Sequence, residues 1–197
     1  MSLDHIHTFT HDWYRQTAVV VGNGPSMLAF PVQELERPHT RVLVANGGYL
    51  LLPRADVLMC TDKRWLAANP DLSGYIGPMI VVTQPQAVTR EDPRMVLLHR
   101  RFIGDARSDP FARRDTLYEG WNSTSTNISC AILRGARRIL LLGVDLAPGK
   151  DNRRRTYDTS TDTPKVAAAR YARQVKHLTA QADWVKRKGI EVINARL

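Results

Sequence analysis

Residues 17–26 read TAVVVGNGPS, and the change of character at Gly22 decides the fold. Residues 18–21 form a continuous run of small and β-branched apolar side chains, as in a strand covered on both faces. The chain then enters Gly22-Asn23-Gly24-Pro25-Ser26 with no polar linker between. The glycines permit tight backbone geometry and close approach of a ligand. Pro25 has no N–H to leave unsatisfied and a φ suited to a first helical turn. The stretch therefore predicts a strand, a tight turn and a helix starting near Pro25, whose N-terminus offers N–H donors to an anion. Gly22, Asn23, Gly24 and Ser26 are candidate nucleotide-binding positions; a plain βα turn is the alternative. The spacing matches neither GxGxxG nor a Walker A loop.

Working outward, further short apolar runs occupy residues 42–45, 57–60, 79–82, 95–99, 139–142 and 190–193. Most are continuous rather than alternating, again as expected for buried strands. Helical patterns separate them. In the clearest, over 164–188, Tyr171, Val175, Leu178, Ala182 and Val185 recur at spacings of four, three, four and three. Pro164 suits the start of that helix and Gly189 its stop. A second helix is predicted over about 123–134, closed by Gly135. Strands alternating with helices imply a single-domain α/β fold with a doubly wound, mostly parallel sheet. The expected domain is 17–197, preceded by a polar extension, 1–16. Two stretches break the pattern. Residues 102–120 are polar with little periodicity and read as a flap. Residues 148–163, PGKDNRRRTYDTSTDT, read as a mobile loop over the C-terminal edge of the sheet, where ligands bind in such folds.

The chain has 197 residues, enough for one domain with a real core. Its two cysteines, Cys60 and Cys130, lie in apolar stretches and suggest reduced, buried thiols rather than a disulfide framework. No apolar run approaches the ~20 residues needed to span a bilayer, and the N-terminus lacks the plan of a secretory signal. A cytoplasmic protein is expected. The net charge of +9 comes in short clusters, among them Arg113-Arg114, Arg137-Arg138 and Arg153 to Arg155. Such a surface attracts polyanions. Aromatic residues do not interleave with the basic ones, which disfavours a nucleic-acid binder.

Four further motifs sit at strand ends or helix starts. Asn46 follows the second strand within ANGGY; it can bond a base, ribose or phosphate, or adopt a left-handed turn. Asp62 follows the third strand and can accept from a ligand hydroxyl or cap a helix running toward Ala68. Gly120-Trp121-Asn122-Ser123-Thr124-Ser125 precedes the second helix, where hydroxyls either cap or seat a phosphate. Asp145 ends LLLGVD and can bind a ligand or tie down a neighbouring loop. His99 ends a strand and is the histidine best placed for acid–base work. No metal site is expected, since His5, His7 and His11 lack evident carboxylate or cysteine partners. Convergence on one sheet edge makes a nucleotide site the better reading of these positions together.

The succession VVVGNGPS, an Asn just past the second strand, and a Ser-led helix running into GARRILLLGVDL resembles the bacterial lipooligosaccharide sialyltransferases of glycosyltransferase family 42. It also resembles the wider set of bacterial and phage proteins related to them, including the pterin-diphosphokinase-like group. The resemblance covers about 17–145. It implies a Rossmann-like domain that binds the nucleotide of a CMP-sugar donor without a metal. Carried over by position, Asn23 and Gly24 would contact the nucleotide and its phosphate, and Asn46 the nucleotide. Ser123, with Thr124 beside it, would lie beside the donor, and Tyr157 would stand where the family has a phosphate-binding Tyr.

Two departures separate this chain from the family. The family's general base is a His in the segment after the GxD strand, and no His occurs between Asp145 and Lys176. An Arg expected before the Ser-led helix is Gly120 here. The expected function is a nucleotide-sugar-dependent, glycosyltransferase-like protein acting on a surface glycan, with an anionic acceptor matching the basic surface. Asp62, Asp145 and His99 are the candidate bases. The alternatives are a non-catalytic nucleotide or polyanion binder, or an ATP-dependent pterin-type diphosphokinase.

Overall fold

The computed structural model describes residues 5–35, 37–102, 109–147 and 163–195. Seven parallel strands form one sheet in the order β5-β4-β3-β2-β1-β8-β9. They are β1 (Thr17–Val21), β2 (Thr40–Ala45), β3 (Val57–Cys60), β4 (Ile80–Val82), β5 (Met95–Leu97), β8 (Arg138–Leu142) and β9 (Glu191–Ala195). All seven coincide with the apolar runs of the sequence, and the single-domain α/β architecture is as expected. Side chains alternate between two cores, one per face. Ala18, Val20, Leu43, Ala45, Val57 and Met59 point to one; Val19, Val21, Val42, Val44, Leu58 and Cys60 point to the other. That two-residue period is why both faces need apolar residues and the strands read as unbroken runs.

Among the described residues three α-helices flank the sheet: α1 (Lys63–Ala68), α2 (Ser123–Leu133) and α3 (Pro164–Arg187). Helix α2 lies across β1, β2 and β3 within the first core. Helix α3 starts at the expected Pro164, with the Thr163 hydroxyl accepting from the Val166 N–H at 3.4 Å. Its buried positions are Ala167, Gln181 and Val185, while Val175 is exposed. The apolar stripe read from the sequence is thus rotated away from full burial. Gln181 takes the inner position and donates to the Ser125 carbonyl of α2 at 2.9 Å. Among the described residues no helix is long and apolar enough to cross a membrane.

Three expectations are corrected. The helix predicted near Pro25 is a 3₁₀ turn, Pro25–Ala29, ending at an extended Phe30; Pro31 follows and disfavours helical geometry in the residue before it. The polar stretch 102–120 is not simply a flap. Thr116–Glu119 forms β7, buried throughout, which pairs in parallel with β6 (His99–Phe102). Residues 103–108 lie outside the described residues, as do 148–162 of the expected loop. The N-terminal segment is also more than a polar lead-in. The His7 N–H donates to the Leu97 carbonyl along β5 at 2.7 Å, and Phe9 and Trp13 are buried in the core.

Candidate functional site

β1 and β8 are neighbours, yet the chain leaves β1 toward β2 and reaches β8 only after completing that half of the sheet. Their carboxyl ends therefore form the switch point at which ligands bind in open α/β sheets. The two strand ends cross very closely. The Gly22 N–H donates to the Leu142 carbonyl at 2.7 Å, and the Gly24 N–H to the Gly143 carbonyl at 2.8 Å. A Cβ on Gly22 would stand 2.3 Å from the Gly143 carbonyl oxygen, so glycine is required there by contact. Asp145 then reaches across to the first turn. One carboxylate oxygen accepts from the Ser26 N–H at 2.9 Å, the other from the Ser26 hydroxyl at 2.6 Å. The protein's own carboxylate thus occupies the donors that the turn offers at Ser26.

The remaining strand ends close the site. The Asn23 side-chain amide donates to the Ala45 carbonyl at 3.2 Å, fastening the first turn to the end of β2. Asn46 adopts a left-handed φ of 49° and opens a short 3₁₀ turn; among the described residues its buried side-chain oxygen has no hydrogen-bond partner. Asp62 caps α1, accepting from the N–H groups of Arg64 and Trp65 at 2.9 and 3.2 Å. At α2 the cap is Asn122, whose side-chain oxygen accepts from the Ser125 N–H at 2.7 Å. The capping role considered for the hydroxyls thus falls to an amide.

These ends line a cavity of about 610 Å³ that the first turns of α3 also border. Gly22, Asn23, Gly24, Asn46, Ser123 and Thr124 line it, together with Asp62 and Asp145. The sequence candidates are therefore largely brought together. Ser26 is not among the lining residues; Asp145 holds it. His99 also lies outside, at the exposed start of β6. Tyr157 and Arg153 to Arg155 lie outside the described residues.

Several lining residues were not read from the sequence as site residues: Arg64, Trp65, Trp121, Arg170, Tyr171 and Arg173. Arg170 and Arg173 are three apart on α3, a spacing that puts both on one helix face and was available to sequence reading. Among the described lining residues the charged ones are Arg64, Arg170 and Arg173 against Asp62 and Asp145, and both acids are hydrogen-bonded within the protein. The cavity suits a ligand with negative charge at one end.

Glu119 lies just outside, two residues before Trp121. It is buried, and burial pushes its carboxyl above the ordinary glutamate value, opposed by Arg100 at 3.5 Å. Arg100 also donates to the Thr61 carbonyl at 3.4 Å, so the pair braces β7 against the end of β3. Gly120 sits against α3, where an added Cβ would stand 2.6 Å from that of His177. His177 of α3 thus lies beside the segment that leads to Trp121.

No family model matches the chain, and no curated protein matches it significantly in sequence. The solved structures include a similar fold. It is a crystal structure of the sialyltransferase CST-II, as a tyrosine-to-phenylalanine variant, in complex with CMP. The match covers 91% of this chain and 80% of that one, with a TM-score of 0.58 and 14% sequence identity. The two chains share a fold. That relation agrees with the α/β, sialyltransferase-like architecture expected from the order of motifs.

Proposed function

We propose that this chain binds a nucleotide-sugar of the CMP-sugar type and acts as a glycosyltransferase-like protein. The observation that carries the reading is the cavity at the β1/β8 switch point, where a turn, an asparagine and a helix N-terminus converge. Its volume falls in the range of small-molecule sites. CMP is the ligand of the structure that shares the fold. In this reading the buried Asn46 oxygen accepts from the base or ribose, and Asn23 and Gly24 back the nucleotide. Ser123 and Thr124 face the phosphate at the start of α2, where free N–H groups and the helix dipole favour an anion. The basic surface favours an anionic glycan as acceptor.

A specific observation favours a second reading, a nucleotide binder without turnover. The carboxylates of Asp62 and Asp145 are engaged in a helix cap and a loop clip, and His99 is outside the cavity. Calorimetry with CMP, CDP, UDP and ATP, the last with Mg²⁺, tests both. Binding of CMP above the others is expected. Preference for ATP with Mg²⁺ selects the diphosphokinase alternative, and no binding by folded protein removes the nucleotide reading. Incubation with CMP-sugar then separates the first two: release of CMP supports transfer, and binding without release supports the non-catalytic form.

A further inference from the structure

Trp121 is placed at some cost. It is 48% exposed, and its φ of 63° is left-handed, a conformation that bulky side chains rarely adopt. Its ring stacks on Phe102 with centroids 4.7 Å apart and planes 22° apart. The guanidinium carbon of Arg173 lies 4.4 Å from the Trp121 ring centroid. Among the described residues Arg173 has no carboxylate partner, unlike Arg94, Arg113 and Arg138. A guanidinium held against an aromatic ring by its face keeps its N–H donors, which lie in the guanidinium plane, able to meet an oxyanion. Trp121 and Arg173 both line the cavity that Ser123 and Thr124 line from the start of α2. A surface cation needs no strained, half-exposed indole; an arginine fixed to receive an anion does.

We infer that Arg173, held by the Trp121 ring, receives the phosphate of the bound nucleotide, with Trp121 as its positioning residue. This rests on the nucleotide reading above and deepens it. In this arrangement a charge-neutralising group comes from α3. The ligand class is a nucleoside mono- or diphosphate, and the shared chemistry is a phosphate oxyanion.

The test is a calorimetric comparison of cytidine with CMP on the full chain and on R173A, R173K, W121A and W121F, each checked for folding by circular dichroism. The unaltered chain is expected to bind CMP at least about tenfold tighter than cytidine, as a charge-assisted contact provides. In R173A that ratio should collapse toward one with cytidine affinity unchanged. R173K should restore only part of it, because an ammonium lacks the fork. W121A should lower the ratio while sparing cytidine, and W121F should keep most of it. Equal loss of both ligands in R173A, or an unchanged ratio, overturns the inference. If the unaltered chain binds neither ligand, the nucleotide reading has failed and inorganic pyrophosphate decides. A pyrophosphate-induced rise in Tm that R173A abolishes keeps the receptor; no rise, or one that R173A leaves intact, removes it.

Discussion

Gly22 and Gly189 are two glycines required for different reasons, and substitution tells them apart. At Gly22 a Cβ would collide with backbone, 2.3 Å from the Gly143 carbonyl oxygen. At Gly189 nothing lies within 4 Å, and only the φ of 64° resists a side chain. Gly22→Ala should therefore cost about 3 kcal/mol or more in urea denaturation, and Gly189→Ala only about 1 kcal/mol. Glu119 supplies a second test at this scale. Its folded pKa is raised by burial, so the folded state holds the proton to higher pH than the unfolded state does. Its contribution is most favourable below the ordinary glutamate value and declines as pH rises from there through the folded value. Glu119→Gln removes that dependence. Denaturation midpoints from pH 4 to 8 should show the unaltered chain losing ground to the variant as pH rises. Of the residue-scale detail, the glycine turn was legible because glycine and proline declare backbone geometry. The role of Asp145 was legible only as a choice between ligand and loop, because its partner Ser26 lies far away in sequence and at hydrogen-bond distance in space.

At the scale of elements, the start of α2 shows how a cap sets a site. Asn122 occupies the N-cap, so the hydroxyls of Ser123 and Thr124 stand in the first turn beside the cavity. Asn122→Ala should lower stability by about 1 kcal/mol, and Asn122→Asp should retain most of it, since a carboxylate accepts equally well there. Thermal melts of both variants check this, and nucleotide affinity should follow the same order. The seven strands of the main sheet were legible because burial on both faces demands unbroken apolar runs. β6 and β7 were not. Their sequences, HRRF and TLYE, carry charge at positions where a sheet interior has none. Pairing of Glu119 with Arg100 and packing of β7 on α2 bury β7 nonetheless, while β6 stays largely exposed. The stripe on α3 was read correctly in period and wrongly in orientation, because Gln181 is matched to a carbonyl on another helix that no local pattern reveals.

At the scale of the molecule, the N-terminal segment closes one side of the sheet. Residues 7–13 run from the edge of β5 to the end of α2, where the Trp13 N–H donates to the Arg134 carbonyl at 2.8 Å. The Arg134 guanidinium in turn lies 4.3 Å from the Trp13 ring centroid and pairs with Asp12. Trp13→Ala should cost about 3–5 kcal/mol, the range for emptying a large buried aromatic site, read as a fall in denaturation midpoint. A segment with five charged or histidine side chains among its first twelve residues gave little sign of this in the sequence. Its two apolar anchors, Phe9 and Trp13, were outnumbered.

The central position of β1 has a consequence for how the chain is made. Its register joins Thr17 to Thr40 on one side and to Arg138 on the other. On a ribosome adding 5–20 residues per second, the second partner emerges roughly 6–24 s after the first strand does. During that interval a valine-rich strand presents an open hydrogen-bonding edge, the kind of surface on which nascent chains associate. Chaperone capture of this protein should therefore concentrate on chains that have passed β2 and not yet reached β8.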